Sequence, residues 1–342
     1  MDLVYTDNNL VEQGILNVSS ADFAYGQDEN TFSIILNDSN NIINENSLIY
    51  QEQGEIGGIV KGISISSSKE VTITGLTWSG LFGQHILEPP AGQAYFTITN
   101  LDPVDAVNAL ISQLKWNTKK GQKATVLFDC VSSKIGTKIS HTFKGSHEEG
   151  QEDTGRYMNG WAALWQLIYQ HNLSISFSYD SETKKVYIGV TKQVEHLDDE
   201  DLFITKNSVE YKKNQSINHL IALGQGELAE RQVCHVYLDG DGSIVTTQKF
   251  FDDDERAEIY ECSNAEDATE LLKEAKKKLI ELYDASQEIN VDADNLNFNL
   301  GDKISGEEQF TGLVFQAIIS KKIIKSTNSL ESYEYQTIVL KK

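Results

Sequence analysis

Apolar residues recur at two different spacings along this chain, and the spacing changes with position. From residue 1 to about 92 they form short runs: Gly14–Val18, Phe32–Leu36, Ser47–Gln51, Ile56–Ile65 and Val71–Thr74. Ile63 and Ile65, then Val71 and Ile73, alternate with polar neighbours around a turn at Ser66–Lys69. A period of two predicts half-buried strands, and several short strands separated by turns predict a small barrel. Trp78, Leu81, Phe82 and Ile86 interrupt them with a brief helical spacing, which reads as core. Pro89–Pro90 marks a boundary, because proline suits neither a helix interior nor a ladder.

Beyond it the period lengthens. Asp102 is placed as an N-cap with Pro103 at the first helical position, and Val107, Leu110, Ile111 and Leu114 form a stripe, predicting a helix over 103–116. Trp161, Leu164, Trp165 and Ile168 predict a second helix over 154–171. Leu173–Tyr179 and Lys184–Val190 alternate as a hairpin across Asp180–Thr183, so this portion is α+β. The stretch 216–245 is then read as strand, glycine turn, strand, with Asp239–Gly242 closing a tight hairpin. A third helix is expected to open on the capping box Ser263–Glu266, with Ala268, Leu271, Leu272, Ala275, Leu279 and Leu282 inside and Lys276–Lys278 late enough to complement its dipole. Strands return at Leu300–Ile304, 312–324 and Tyr333–Leu340. The succession from Gly58 to Thr74 is echoed from Gly312 to Leu340, a sign of duplication.

Composition narrows the class. The 342 residues exceed what one core usually serves, and 39% hydrophobic content with four Trp, 13 Phe and 14 Tyr excludes general disorder. The formal charge is −22, which argues against sequence-independent binding of nucleic acid through a basic patch. Cys130, Cys234 and Cys262 are odd in number and far apart, with neither CxxC nor metal spacing, so they are read as reduced, small apolar residues. The N-terminus lacks a signal-peptide pattern and no run reaches membrane-helix length, which places synthesis in the cytoplasm.

Five places in the chain carry residues that could support chemistry. Gly224-Gln-Gly226-Glu-Leu-Ala229 fits a dinucleotide fingerprint, but the fingerprint needs a helix next and Arg231–Leu238 reads as strand. Asp239, Asp241 and Ser243 could open a calcium loop, yet Ile244 stands where glycine is required and Phe250 where a bidentate Glu should be. His147 among the carboxylates of Gly145–Asp153 reads as a solvated loop, and the acidic runs Asp198–Asp201 and Asp252–Glu255 read as water-facing. No nucleophile elbow, HExxH or P-loop is present. No catalytic, cofactor-binding or metal residue, and no cofactor, is therefore assigned.

Asn218-His219-Leu220-Ile221, Leu223-Gly224-Gln225-Gly226-Glu227-Leu228, Arg231 and the turn Tyr237–Gly242 together resemble the signature of siphophage and prophage tail-tip and baseplate hub proteins, also found in phage-tail-like bacteriocins. Gly75–Ile86, Gly92–Ile98, Gly301-Asp302 and Thr311-Gly312 extend the resemblance over nearly the whole chain. It implies a mainly β fold with an α+β insert: a β-barrel domain over 1–92, an α+β domain over 93–205, and a second β-barrel domain over 206–342 with a helix-containing insertion around 228–288. It further implies a non-enzymatic homotrimer whose six barrels form a ring. The partners implied are the tail tube or distal tail protein, the central spike or fibre, the tape measure protein and baseplate wedge proteins. The place implied is a virion or tail-like particle. The enzymatic alternative is a tail-associated lysin, glycosidase or peptidase. Hub chains with such activity usually resemble this one plus an added domain, for which a chain ending at Lys342 leaves no room. The acidity fits either a tube lumen that must not bind DNA or simple solubility.

Overall fold

The computed structural model describes residues 2–37, 43–67, 70–116, 126–144, 156–196, 208–240, 242–265, 267–293, 297–308, 313–327 and 330–340. The fold is mainly β, with 44% strand and 18% helix. The described residues pack as two compact units, one formed from those up to 209 and from 290 on, the other from 210–289.

In the larger unit, β1 (Val4–Thr6), β2 (Glu12–Ile15), β3 (Val18–Gly26), β4 (Thr31–Leu36), β5 (Leu48–Tyr50), β6 (Gly57–Ile65) and β7 (Val71–Thr77) lead to the short helix α1 (Trp78–Phe82) and to β8 (Ile86–Leu87). β9 (Thr97–Leu101), α2 (Pro103–Gln113), β10 (Leu127–Asp129), β11 (Ile139–Thr142), β12 (Met158–Asn159), α3 (Gly160–Gln170), β13 (Leu173–Asp180), β14 (Lys185–Lys192) and β15 (Glu195–His196) follow. The smaller unit is entered through β16 (Ser208–Lys213) and holds β17 (His219–Leu223), β18 (Val233–Leu238), β19 (Ile244–Val245), β20 (Ala257–Glu261) and α4 (Ala268–Ala285). β21 (Gln287–Ala293) returns the chain to β22 (Lys303–Glu308), β23 (Leu313–Thr327) and β24 (Leu330–Val339).

The two ends of the sequence share one curled sheet, in the order β24-β23-β3-β4-β7-β6-β5-β1-β2. Its joint is antiparallel β23 on β3, with Ile324 opposite Phe23 and Lys322 opposite Tyr25. Phe23, Ile34, Val60, Ile73, Ile319 and Ile324 are buried along it. The echoing segments are both long antiparallel hairpins, β6–β7 and β23–β24, and each carries a bulge, between Val60 and Gly62 and between Ile319 and Lys321. Such bulges strengthen local twist, which suits a curled sheet.

The α+β portion packs into the same unit. Tyr179 of β13 lies against Trp78 and Tyr50, with ring centroids 5.2 and 4.6 Å apart. The Trp161 indole of α3 donates to the Gly26 carbonyl at 2.6 Å. α2 begins as its sequence requires: Asp102 accepts from the Val104 amide at 3.1 Å. It also takes the amides of Ile135 and Gly136 at 3.3 and 2.8 Å, pinning a distant loop to the helix start. The β13–β14 hairpin matches the alternation read from the sequence, from Leu173↔Lys192 to Asp180↔Lys185.

Four expectations need correction. The Gly14–Val18 run is a strand end and a corner, and the long strand is β3 beside it. α3 starts at Gly160 because Asn159 caps it, accepting from the Ala162 amide at 2.7 Å, while Met158–Asn159 pairs with β8. α4 is opened by Asp267, whose carboxylate accepts from the amides of Thr269 and Glu270 at 2.8 and 2.9 Å, so the cap lies beyond the Ser263–Glu266 box and Ala268 is exposed. Because α4 continues to Ala285, Lys276–Lys278 fall mid-helix, where the dipole has no free carbonyls to offer them.

Candidate interaction surfaces

The stretch 216–245 forms the centre of the smaller unit's sheet, ordered β19-β18-β17-β20. Alternation decides its two faces. Leu220, Ala222, Val236 and Leu238 point one way and pack under Leu271, Ala275 and Leu279 of α4. His219, Ile221 and Leu223 point the other way, beside Tyr237, His235 and Val233 in register.

The dinucleotide reading of this stretch fails on geometry, and the described part of the Asp239–Gly242 hairpin makes turn contacts. After Gly226 the chain makes a single 3-10 turn, Leu228–Glu230, and enters β18, so no helix N-terminus faces the glycines. Gly226 is needed for the turn itself: its φ is +99°, and a Cβ there would lie 2.6 Å from the Glu230 carbonyl oxygen. At the hairpin, the Asp239 carboxylate accepts from its neighbour Gly240 at 2.6 Å, and the Gly242 amide donates to the Asp239 carbonyl at 2.9 Å. Those are turn contacts, and among the described residues no group of three or more His, Cys, Asp or Glu is placed to hold a metal ion. Asp241, the loop holding His147, the Asp198–Asp201 run and Thr311-Gly312 lie outside the described residues.

Three polar clusters are assembled by the fold. On the smaller unit's sheet, His219 meets Glu255 through Nδ1 at 2.6 Å and His235 through Nε2 at 2.8 Å, with the Tyr237 ring stacked on it. The last residue of the acidic run Asp252–Glu255 is thus anchored, while Asp252, Asp253 and Asp254 stay exposed in a 3-10 turn. In the larger unit, buried Asp302 accepts from Ser174 at 2.6 Å and from the Asn299 amide at 2.9 Å, with His196 at 3.3 Å. Gly301 precedes it at φ +90°, with the Leu173 carbonyl oxygen where a Cβ would have to lie, so Gly301-Asp302 is a corner that ties β22 to β13. Finally, Lys322 of β23, with 3% of its side chain exposed, pairs with Glu55 at 2.6 Å and also touches Asn297 and the face of Tyr333. Burial pushes the Lys322 ammonium below the ordinary lysine value, and the Glu55 carboxylate pulls it back up.

Each of the three locks strands or turns together. The free surfaces are elsewhere. One cavity of about 310 Å³ lies among Asn218, Asp239, Phe250, Arg256 and Tyr283, where the polar groups of Asn218 and Asp239 are already used within the fold. Another, of about 700 Å³, runs along the outer side of α4 between Leu272 and Ile280. No described helix is long and apolar enough to cross a membrane.

This arrangement, with chain ends joined in a curled sheet, an α+β portion packed on it and a separate β-and-helix unit, is a phage tail protein fold. A solved structure that shares it over its whole length is the 43 kDa tail protein of prophage MuSo2 from Shewanella oneidensis: 9% identity, 99% of this chain and 98% of that one covered, TM-score 0.52. The tail protein from Neisseria meningitidis MC58 aligns over 99% and 96% at 12% identity and a TM-score of 0.49. The prophage tail protein gp18 from Listeria monocytogenes EGD-e aligns over 98% and 94% at 11% identity and 0.46. No protein-family model and no curated sequence matches the chain.

Proposed function

We propose that this chain is the structural hub of a phage tail tip or baseplate, or of a phage-tail-like particle. In this reading it is a homotrimer that joins a six-fold tail tube to a three-fold central spike or fibre. The observation that supports it best is the end-to-end likeness to a prophage tail protein, in which both chains are covered almost completely. Residues 1–92 and 206–342 are the two barrel-like portions, 93–205 the α+β portion between them, and the segment around 228–288 an insertion that builds most of the smaller unit. Three copies then present six barrel-like portions to the tube, which is how a three-fold object meets a six-fold one. Its work is done by surfaces, and the polar clusters serve to hold those surfaces in place.

The reading places the chain in an assembled particle after synthesis in the bacterial cytoplasm, next to tube or distal tail protein, spike, tape measure and baseplate wedge proteins. Light scattering on purified chain should give three copies, or a monomer that assembles only on the tail. A stable two-fold dimer is incompatible with the ring. Clearing of cell-wall or capsule substrate by the purified chain, abolished by substitution of one carboxylate, would replace this reading with a lysin.

A further inference from the structure

Among the described helices, α4 is the one whose outer side gathers positive charge around apolar side chains. Residues 210–289 carry 18 Asp and Glu against nine Lys and Arg, and four of the nine are Lys273, Lys276, Lys277 and Lys278. Lys278 turns inward over the Tyr260 ring, 5.9 Å away. Lys273, Lys276 and Lys277 instead flank Leu272 and Ile280 along the 700 Å³ groove, and Ile280 is 40% exposed. Only Lys277 has an acidic partner among the described residues, Glu281 one turn on at 3.9 Å, with both side chains more than half exposed. A solvated helix face needs no apolar pair between its lysines; a contact surface does.

The smaller unit is also polarised. α4 covers the face formed by Leu220, Ala222, Val236 and Leu238, whereas Glu255 is held by His219 on the opposite side of the same strands. Asp252, Asp253 and Asp254 stand exposed immediately before it. Basic groove and acidic turn are therefore separate patches of one module, the turn held at the end of the sheet through the Asn218 side chain on the Asp254 carbonyl. Identical modules with that polarity attract head to tail, and a head-to-tail contact is the kind that closes into an odd-numbered ring, which a self-complementary patch cannot do.

From this we infer that the α4 groove docks a second copy of this chain, receiving its Asp252–Asp254 turn. The inference rests on the trimer reading above and adds the contact that would make it.

The test is sedimentation velocity on the full chain at rising protein concentration, in low and high salt. Association should be present in low salt and weaken with added salt, as exposed charge pairs are screened. The triple variant Lys273→Glu, Lys276→Glu, Lys277→Glu should weaken it roughly ten- to a hundredfold, summing three exposed pairs. Asp252→Lys, Asp253→Lys, Asp254→Lys should do the same. All six changes in one chain should restore it. Every changed residue is at least partly exposed, and circular dichroism checks that each variant is folded. Association that ignores both triple variants, or a six-fold variant that stays dissociated, overturns this contact while leaving the trimer reading intact. A chain that remains monomeric in low salt also overturns the contact; the trimer reading then falls only if no three-fold ring is seen on the assembled tail.

Discussion

The buried pair between Lys322 and Glu55 offers an asymmetric prediction, because the two partners are not equally hidden. Lys322 has 3% of its side chain exposed and Glu55 23%. Removing one member of a buried pair costs about 3–5 kcal/mol, since the survivor is left charged and out of water. In Glu55→Gln the survivor is the ammonium, left with the neutral oxygens of Gln and Asn297 and the Tyr333 ring in place of a contacting carboxylate, so a loss of about 3 kcal/mol is expected. In Lys322→Met the survivor is a carboxylate that can rehydrate, and the methionine refills the aliphatic space, so the expected loss is about 1–2 kcal/mol. The double variant should resemble Lys322→Met, so the coupling energy should match the whole Glu55→Gln loss, about 3 kcal/mol. Urea unfolding followed by tryptophan fluorescence reads this well, because Trp78, Trp116, Trp161 and Trp165 all belong to the larger unit. The sign with pH follows from burial. A lysine whose folded pKa lies below its ordinary value of 10.5 binds fewer protons folded than unfolded, so stability rises with pH up to that value. Loss of Glu55 lowers the folded pKa further, and the deficit of Glu55→Gln should therefore shrink as the solution is made alkaline. A Glu55→Gln variant no less stable than Lys322→Met would refute the reasoning.

Three further outcomes are expected. Asp102→Ala should lose about 1–2 kcal/mol as a cap, and more through the orphaned amides of Ile135 and Gly136. Burial alone would raise this carboxyl, but the bonds from Gly136, Val104 and Ile135 outweigh it and hold the pKa below the ordinary 3.8, so its contribution, present above that value, should disappear as pH falls through the folded pKa; acid titration of wild type against Asp102→Asn checks it. Gly301→Ala should destabilise the larger unit by several kcal/mol, because a side chain there meets the Leu173 carbonyl at positive φ; thermal unfolding reads it. Burial pushes the Cys130 thiol up to about 11, so a thiol reagent at pH 8 should modify it far more slowly in the folded chain than in urea, as mass spectrometry of its peptide would show.

Local grammar made some of this fold legible from the sequence. The Asp102-Pro103 start of α2 and the alternation on either side of Asp180–Thr183 are written within a few residues, and both stand as read. β3 was not legible: the apolar run reads as ending at Val18, where the strand in fact begins, and its partner β23 lies about three hundred residues away, where no local pattern can point. The same distance hides the Lys322–Glu55 pair. Helix starts misled where two caps competed within five residues, as at Ser263 and Asp267, and the later one won by presenting its carboxylate to two amides. At the surfaces, His219 and His235 carried a strand-alternation signal, but their meeting depends on the β17–β18 register. Lys276–Lys278 was visible as a charge run; its position beside Leu272 and Ile280 required knowing that α4 runs on to Ala285.

The central claim is that this chain sits at the tip of a tail, and one image addresses it most directly. Particles assembled with a gold-labelled copy of the chain, viewed by electron microscopy and averaged along the tail axis, should show label only at the distal end of the tube, three per particle and related by a three-fold axis. Label along the tube, at the head-proximal end or absent from the particle would contradict the account.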